Sequence, residues 1–409
     1  MFSLRKTIAS LAHNRRKWET LMRGAGRAQI PDLPHVATRL EEVHGFGSNP
    51  GNLRMFTYVP SGLAANPGLV VVLHGCTQTA ASYDHGAGWS TLADRYGFAL
   101  LLPEQQRSNN SKGCFNWFQT GDTQRDRGEA LSIRQMVETI VSDNQIDRDR
   151  VFITGLSAGG AMTSVMLACY PEVFAAGAII AGLPYGAASN VQQAFESMFH
   201  SPARSAREWG DLVRKAAPHN GPWPRVSVWH GSADKTVISS NARESLKQWT
   251  DVHGLPLSPS VQTPVDGYPR QVWLNEAGDE LIESYTIPEM AHGTPLATGG
   301  ADDECGAAGP FLIEAGISSS YHIAKFFGLT SAGLHVASTK RDTVTIVPEQ
   351  RPISTPGAAL EQPHGPKGDV LDKEPDVTPE RTHVTPAAPI DVGAVITKAL
   401  KAAGLMKDR

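Results

Sequence analysis

A serine held between two glycines, Gly155-Leu-Ser157-Ala-Gly159, sits where a strand pattern gives way to a helix pattern. Residues 151–154 form a short β-branched and aromatic run of the kind that fills a buried strand. From Ala158 the spacing changes. Met162, Val165, Met166 and Cys169 recur at i, i+3, i+4 and i+7, and Pro171 ends the helix they imply. So short a link between strand and helix must turn sharply, and side chains flanking the serine at the glycine positions would collide with neighbouring backbone. The turn lifts the Ser157 hydroxyl clear of the sheet, and the helix points its first N–H groups at the same space. This nucleophile-elbow arrangement requires a strand before it and a helix after it, and the sequence supplies both.

The rest of the chain repeats the alternation. Residues 69–73 are an unbroken apolar run, as in a strand covered on both faces, and end in His74-Gly-Cys76-Thr77-Gln78. A helix is expected over 89–96, a strand over 98–102, a polar loop over 104–128 and a helix over 130–141. Further strands are expected at 178–180 and 226–229, a helix at 242–249, and a hairpin from 271–274 and 281–287. Edge strands near 40–44 and 53–59 precede this series, and a helix over 313–327 closes it. The irregular stretch 182–224 is expected to lie over the strand ends as a cap. The fold class is therefore α/β, a mostly parallel sheet with helices on both faces, spanning residues 38–328.

Outside that span the composition shifts. Residues 1–37 read as a basic amphipathic segment, with Phe2, Ile8, Leu11, Trp18, Leu21 and Met22 available to one side. Residues 329–389 are rich in Pro, Thr, Asp and Glu, a composition that predicts a disordered tail. Residues 390–409 carry an apolar stripe suited to a short helix. Arg15, Arg16 and Lys17 interrupt any export-signal core, which reads as a cytoplasmic chain. No apolar stretch is long enough for a transmembrane segment. A net charge of −4 supplies no drive toward nucleic acid. Four cysteines without a CxxC pair exclude a disulfide-dense scaffold and the usual zinc patterns.

A serine hydroxyl needs a base within hydrogen-bond reach, and the base needs an acid to orient it. Asp234 follows the expected strand at 226–229, with Asp211 as its weaker rival. His292 follows the hairpin in Met290-Ala-His-Gly-Thr-Pro295. Of the other histidines, His74 and His230 open loops after strands, where bonding to the backbone is expected. His200, His219 and His253 lie in or near the irregular stretch, and His322 lies inside the closing helix. His292 alone both follows Asp234 and occupies a glycine-flanked loop at a strand end. The N–H of Ala158 is one candidate oxyanion donor, and Cys76 or Thr77 supplies the other. Cys76 and Cys114 lie on loops after adjacent strands, so a disulfide between them would pin the oxyanion loop. Cys169 reads as a core thiol, and Cys305 as a thiol in a mobile loop without a partner.

With these residues in place, the chain resembles the polyhydroxybutyrate depolymerase family of esterases within the α/β-hydrolase superfamily. The resemblance covers roughly residues 38–328 and rests on Leu73-His-Gly-Cys-Thr-Gln78, Gly113-Cys-Phe-Asn-Trp117, Gly155-Leu-Ser-Ala-Gly-Gly-Ala161, Val228-Trp-His-Gly-Ser-Ala-Asp234 and Ala291-His-Gly-Thr-Pro295. It implies the α/β-hydrolase fold, a triad of Ser157, Asp234 and His292, and an oxyanion hole from Cys76 and Ala158. It implies hydrolysis of 3-hydroxyalkanoate esters without metal or organic cofactor, and secretion, against the cytoplasmic reading of the N-terminus. Feruloyl and acetylxylan esterases in the same family make carbohydrate esters the second expectation. A prolyl-type peptidase, whose amide cleavage uses the same triad, is a third, and a non-catalytic granule-binding protein that keeps the hydrolase fold is the rival from another class. Trp117, Phe118 and Trp223 are candidates for the walls of an apolar acyl cleft and equally for ordinary core. The partner expected is an ester or polyester, with contact between the terminal segments and a polymer granule as a further expectation; the oligomeric state stays open.

Overall fold

The computed structural model describes residues 38–330, so the expectations for 1–37, for 331–389 and for 390–409 lie outside the described residues. The chain opens with β1 (Glu41–Val43) and β2 (Arg54–Tyr58). Next come β3 (Leu69–Leu73), helices α1 (Ala80–Ala87) and α2 (Trp89–Tyr96), β4 (Ala99–Glu104) and α3 (Gly128–Asn144). Strand β5 (Val151–Leu156) runs into α4 (Ala158–Cys169), and β6 (Ala176–Ile180) into α5 (Val191–His200) and α6 (Ala206–Ala216). After β7 (Arg225–Gly231) and α7 (Ser240–His253) come β8 (Val261–Val265), β9 (Tyr268–Leu274) and β10 (Glu280–Ile287). Two short strands, β11 (Thr294–Leu296) and β12 (Leu312–Glu314), and α8 (Ser319–Phe326) complete the series.

Among the described residues, ten strands form one sheet in the order β1-β2-β4-β3-β5-β6-β7-β10-β9-β8. From β4 to β10 the neighbours are parallel, and antiparallel pairs extend both edges. The run Leu69–Leu73 shows why a parallel centre demands unbroken apolar sequence. Leu69, Val71 and Leu73 enter the core on one face, with α3, α4, α6 and α7. Val70 and Val72 enter the core on the other, with α1, α2 and α8. Alternate side chains point to opposite faces, so both sets must be apolar when both faces are covered.

Three expectations change. The helix expected over 313–327 starts only at Ser319: residues Leu312–Glu314 pair in parallel with Thr294–Leu296, Gly316 takes φ +70°, and Ser318 caps the helix by accepting from the Tyr321 N–H. Cys305 is buried rather than mobile, 3% exposed, with its sulfur 3.4 Å from the Ser318 hydroxyl. The 182–224 stretch splits in two. The end of α5 is tied to the loop after β7 and the first turn of α7: the Met198 carbonyl accepts from the Ile238 N–H and the Ser197 carbonyl from Asn241 Nδ2, both at 2.9 Å. Helix α6 instead packs beside α7 on the flank, with Trp209 Nε1 donating to Glu244 at 2.6 Å. Only the first part therefore stands near the strand ends. Helix α1, which the sequence pattern did not suggest, is nucleated by a reciprocal cap between Thr79 and Ser82.

Candidate active site

Ser157 sits between β5 and α4 at φ +58°, ψ −115°, a conformation that costs a non-glycine residue ~1–3 kcal/mol. The surroundings hold it there. Its N–H donates to the Ile180 carbonyl of β6 at 2.9 Å, which ties the turn to the next strand. A β-carbon on Gly155 would stand 2.5 Å from the carbonyl carbon of Gly159, and one on Gly159 would stand 2.3 Å from the Leu73 oxygen. The glycines thus let the turn lie against β3, as the motif required.

Asp234 lies in the loop after β7. Its Oδ1 accepts from the Thr236 and Val237 N–H groups at 2.8 and 2.9 Å, which fixes the carboxylate plane. Its Oδ2 receives His292 Nδ1 at 2.6 Å and stands 3.3 Å from His230 Nε2. Burial alone would raise its pKa. The charge on His292 and the hydrogen bonds from His230 and His292 outweigh burial and hold the carboxyl well below the usual carboxylate range.

The His292 loop approaches this strand end because position 231 is glycine: a β-carbon there would lie 2.3 Å from the Met290 oxygen. The same carbonyl accepts from the Ala233 N–H at 3.1 Å. On the far side, Thr294 N–H donates to the Phe311 carbonyl at 2.9 Å, and the Phe311 ring meets the imidazole edge-on at 5.9 Å. His292 Nε2 then stands 2.9 Å from Ser157 Oγ. With Asp234 ionised, Nδ1–H is the donor to Oδ2, which leaves the Nε2 lone pair facing the serine hydroxyl. Asp211, the rival acid, pairs instead with Arg214 on an exposed helix face.

Above the serine, the loop after β3 offers a free N–H. Thr77 N–H is committed to the Lys112 carbonyl at 2.8 Å, whereas no described residue accepts from the Cys76 N–H. The Ala158 N–H is one of the first helical N–H groups, which have no intrahelical acceptor. Cys76 and Cys114 are joined in a disulfide. His74 supports the same loop in a fixed neutral form. Its Nδ1 donates to the Gly75 carbonyl at 2.8 Å, its Nε2 accepts from the Gln105 N–H at 3.1 Å, and burial lowers its pKa.

The sequence reading missed the layer below. Gln105 Nε2 bonds both the Cys114 carbonyl and the carboxyl of Glu129, and Glu129 also accepts from Asn116. Glu129 is fully buried in the first turn of α3. Asn116 lies within Gly113-Cys-Phe-Asn-Trp117, so that motif held a signal, but nothing local marked Glu129 as its partner. Of the three candidate aromatics, Trp117 is buried and packs edge-on to half-buried Phe118 at 5.5 Å. Trp223 is half-buried against His219 at 4.8 Å. All three pack on the core face that includes Ala158.

Among the described residues no cluster of His, Cys, Asp and Glu is placed to hold a metal, and no helix is long and apolar enough to cross a membrane.

Known proteins share this framework. The family model described as esterase PHB depolymerase matches residues 53–258, a span that contains Ser157 and Asp234 and stops before His292. The chain is 48% identical over 291 residues to poly(3-hydroxyalkanoate) depolymerase C of Paucimonas lemoignei, covering 71% of this chain and 70% of that one. It is 38% identical over 274 residues to an acetylxylan esterase of Coprinopsis cinerea, covering 65% and 71%. Among solved structures, an acetyl xylan esterase from Aspergillus awamori matches with a TM-score of 0.57 at 29% identity, covering 62% of this chain and 93% of that one.

Proposed function

The chain belongs to the esterase PHB depolymerase family and is a carboxylic ester hydrolase, and from that premise we propose that it cleaves 3-hydroxyalkanoate esters through an acyl-enzyme on Ser157. The observation that carries the substrate class is the 48% identity to a poly(3-hydroxyalkanoate) depolymerase. The mechanism draws its support from the hydrogen-bonded line Ser157–His292–Asp234.

In this reading Ser157 Oγ attacks the ester carbonyl while His292 Nε2 takes its proton. Asp234 stabilises the imidazolium. The tetrahedral oxyanion is held by the N–H groups of Cys76 and Ala158, each such donor contributing ~2.7–4 kcal/mol to the transition state. His292 returns the proton to the leaving alcohol, and water then releases the acid by the same roles in reverse. The depressed pKa of Asp234 keeps the acid ionised at neutral pH. Trp117, Phe118 and Trp223 are the acyl-cleft candidates, and residues 38–328 the catalytic domain. Contact of the terminal segments with a polymer surface is a separate part of the reading. Deleting residues 1–30 and 388–409 is expected to reduce polymer co-sedimentation, and unchanged sedimentation removes that part.

The test compares product release from 3-hydroxybutyrate oligomers and from acetyl esters, using wild type and Ser157→Ala. Oligomer cleavage that disappears in the variant is expected. The likeness to acetylxylan esterases favours carbohydrate esters as the second reading, and Ser157-dependent release from acetyl esters alone would move the function there.

A further inference from the structure

Beside the loop that carries Cys76 there is a cavity of about 270 Å³. Its lining comes from the ends of three strands: Arg54 on β2, Thr77 and Gln78 after β3, and Glu104 and Arg107 at and beyond the end of β4; Lys112 adds a wall from the following loop. In the strand order β5-β3-β4, the strand that ends at Glu104 and leads to Arg107 is two inter-strand spacings, about 10 Å, from β5 and its serine turn, with the loop after β3 between.

Its charge is unbalanced. Glu104 is the acid in the lining; it pairs with Arg54 at 2.7 Å and accepts from the Ala80 N–H at 2.9 Å. Arg54 is further occupied by Glu42 at 2.7 Å. Arg107 and Lys112 have no carboxylate within ion-pair distance among the described residues. In a chain of net charge −4, two unpaired cations meeting at one cavity beside the reacting centre form a local positive field. The placement of Lys112 is coupled to the oxyanion loop, because its carbonyl accepts the Thr77 N–H and the Cys76–Cys114 bond closes the loop nearby.

A head-to-tail polyester of hydroxy acids has one carboxylate, at the end on the alcohol side of every ester bond. Each 3-hydroxybutyrate repeat adds four chain bonds, at most about 5 Å at roughly 1.5 Å per bond less the zigzag. An acid end two repeats beyond the scissile ester, up to about 10 Å away, therefore spans that separation. We propose that the Arg107–Lys112 cavity binds the carboxylate of short, acid-terminated hydroxyalkanoate oligomers and directs cleavage to ester bonds near that end. The product released from the alcohol side then carries the carboxylate out of the cavity, while the acyl part stays on Ser157 until water removes it. This inference rests on the hydroxyalkanoate reading above.

The experiment measures kcat/KM for the 3-hydroxybutyrate trimer as free acid and as its methyl ester, with wild type and the Arg107→Gln/Lys112→Gln double variant. Wild type is expected to prefer the free acid by about five- to ten-fold at low ionic strength. The ratio should fall toward one in the double variant, and also in wild type at roughly 0.5 M salt, where charges on an open cavity are screened. Equal turnover of the two forms by wild type overturns the cavity assignment and leaves the hydroxyalkanoate reading standing. So does a preference that survives intact in the double variant. No turnover of either form, by an enzyme that still cleaves acetyl esters through Ser157, overturns both.

Discussion

Glu129 accepts two hydrogen bonds from a single residue, Asn116, one from its backbone N–H and one from its side-chain Nδ2, each 2.8 Å long. Gln105 Nε2 is a third donor to the same carboxyl. Through Gln105, this group connects to His74 at the start of the loop after β3 and to the carbonyl of Cys114, the residue bonded to Cys76 in that loop. Burial first, and the nearby Asp122 charge second, push Glu129 up to about 8, although its position in a helical first turn favours the anion. A carboxyl whose folded pKa is raised contributes stability that is fully present below its unfolded pKa and is lost as pH rises through about 8. A neutral acid can still accept at both oxygens, whereas the amide of a glutamine would turn an N–H donor toward Asn116 or Gln105. Glu129→Gln is therefore expected to be ~1–3 kcal/mol less stable than wild type near pH 5. The gap should narrow as pH rises toward 8. Thermal midpoints of both proteins across that range check this; a constant gap would rule Glu129 out as the titrating group. Buried histidines such as His253 titrate in the opposite sense, but they do so equally in both proteins.

Asp234→Asn separates orientation from charge. The asparagine Oδ1 can keep the Thr236 and Val237 N–H bonds, so its Nδ2 must face His292 Nδ1. Two donors cannot meet there. The imidazole would then carry its proton on Nε2, pointing at Ser157 with no lone pair to receive the hydroxyl proton. Activity should fall about 10⁴-fold, the size of loss that the equivalent change produces in a serine protease triad. The loss should appear in kcat with KM little changed, and a fluorophosphonate should label Ser157 more slowly by a similar factor. Full activity in this variant at neutral pH would remove Asp234 from the mechanism.

How far the sequence reveals the fold and site depends on how local each constraint is. The turn at Ser157 was readable because the steric demands on Gly155 and Gly159 arise from neighbours a few residues away and from one adjacent strand. Leu69–Leu73 was readable because two covered faces leave no position for a polar residue. Its place after a strand singles out His292 in the sequence, and the 2.9 Å approach to Ser157 is what chain order alone does not supply. Glu129 was hidden for the opposite reason. A glutamate near the start of a helix looks like a solvent-exposed complement to the helix dipole, and only the fold brings Asn116 and Gln105 over it. The 312–314 segment misled in a similar way, because its apolar residues extend the spacing of α8 while Gly316 and Ser318 separate the two.

Gly159→Ala tests the closest approach in the site. The added methyl would sit 2.3 Å from the Leu73 carbonyl oxygen and 2.6 Å from that of His74. Backbone atoms cannot swing aside as a side chain can, so β3 or α4 must shift. A cost of ~1–3 kcal/mol is expected from overpacking. Because β3 leads directly into the Cys76 loop, kcat should fall more than stability does. Gly113→Ala serves as the control: its β-carbon meets nothing within 4 Å, so its cost comes from φ +61° alone. Chemical denaturation and kcat for the pair check the contrast, and equal effects at the two positions would mean that crowding against β3 is not what fixes the turn.

The last prediction concerns the bond between Cys76 and Cys114. The loop it closes has other ties, the Thr77 N–H to Lys112 and the Gly75 N–H to Gln78 Oε1 at 2.8 Å, so reduction should loosen the oxyanion loop without unfolding the domain. Substrate binding away from the carbonyl is untouched, whereas the Cys76 N–H is needed chiefly when charge develops on the carbonyl oxygen. Mild reduction, or Cys114→Ser, is therefore expected to lower kcat about ten-fold with a much smaller change in KM. Labelling can be read cleanly at the same time. Burial holds the Cys169 thiol up at about 12 and raises that of Cys305, so neither should alkylate in the native state. The reduced native protein should take up one alkyl group at half-buried Cys76, and a second at buried Cys114 as the opened loop exposes it, in step with the loss of kcat. Two groups taken up with kcat unchanged would show that the remaining hydrogen bonds hold the Cys76 N–H in place unaided.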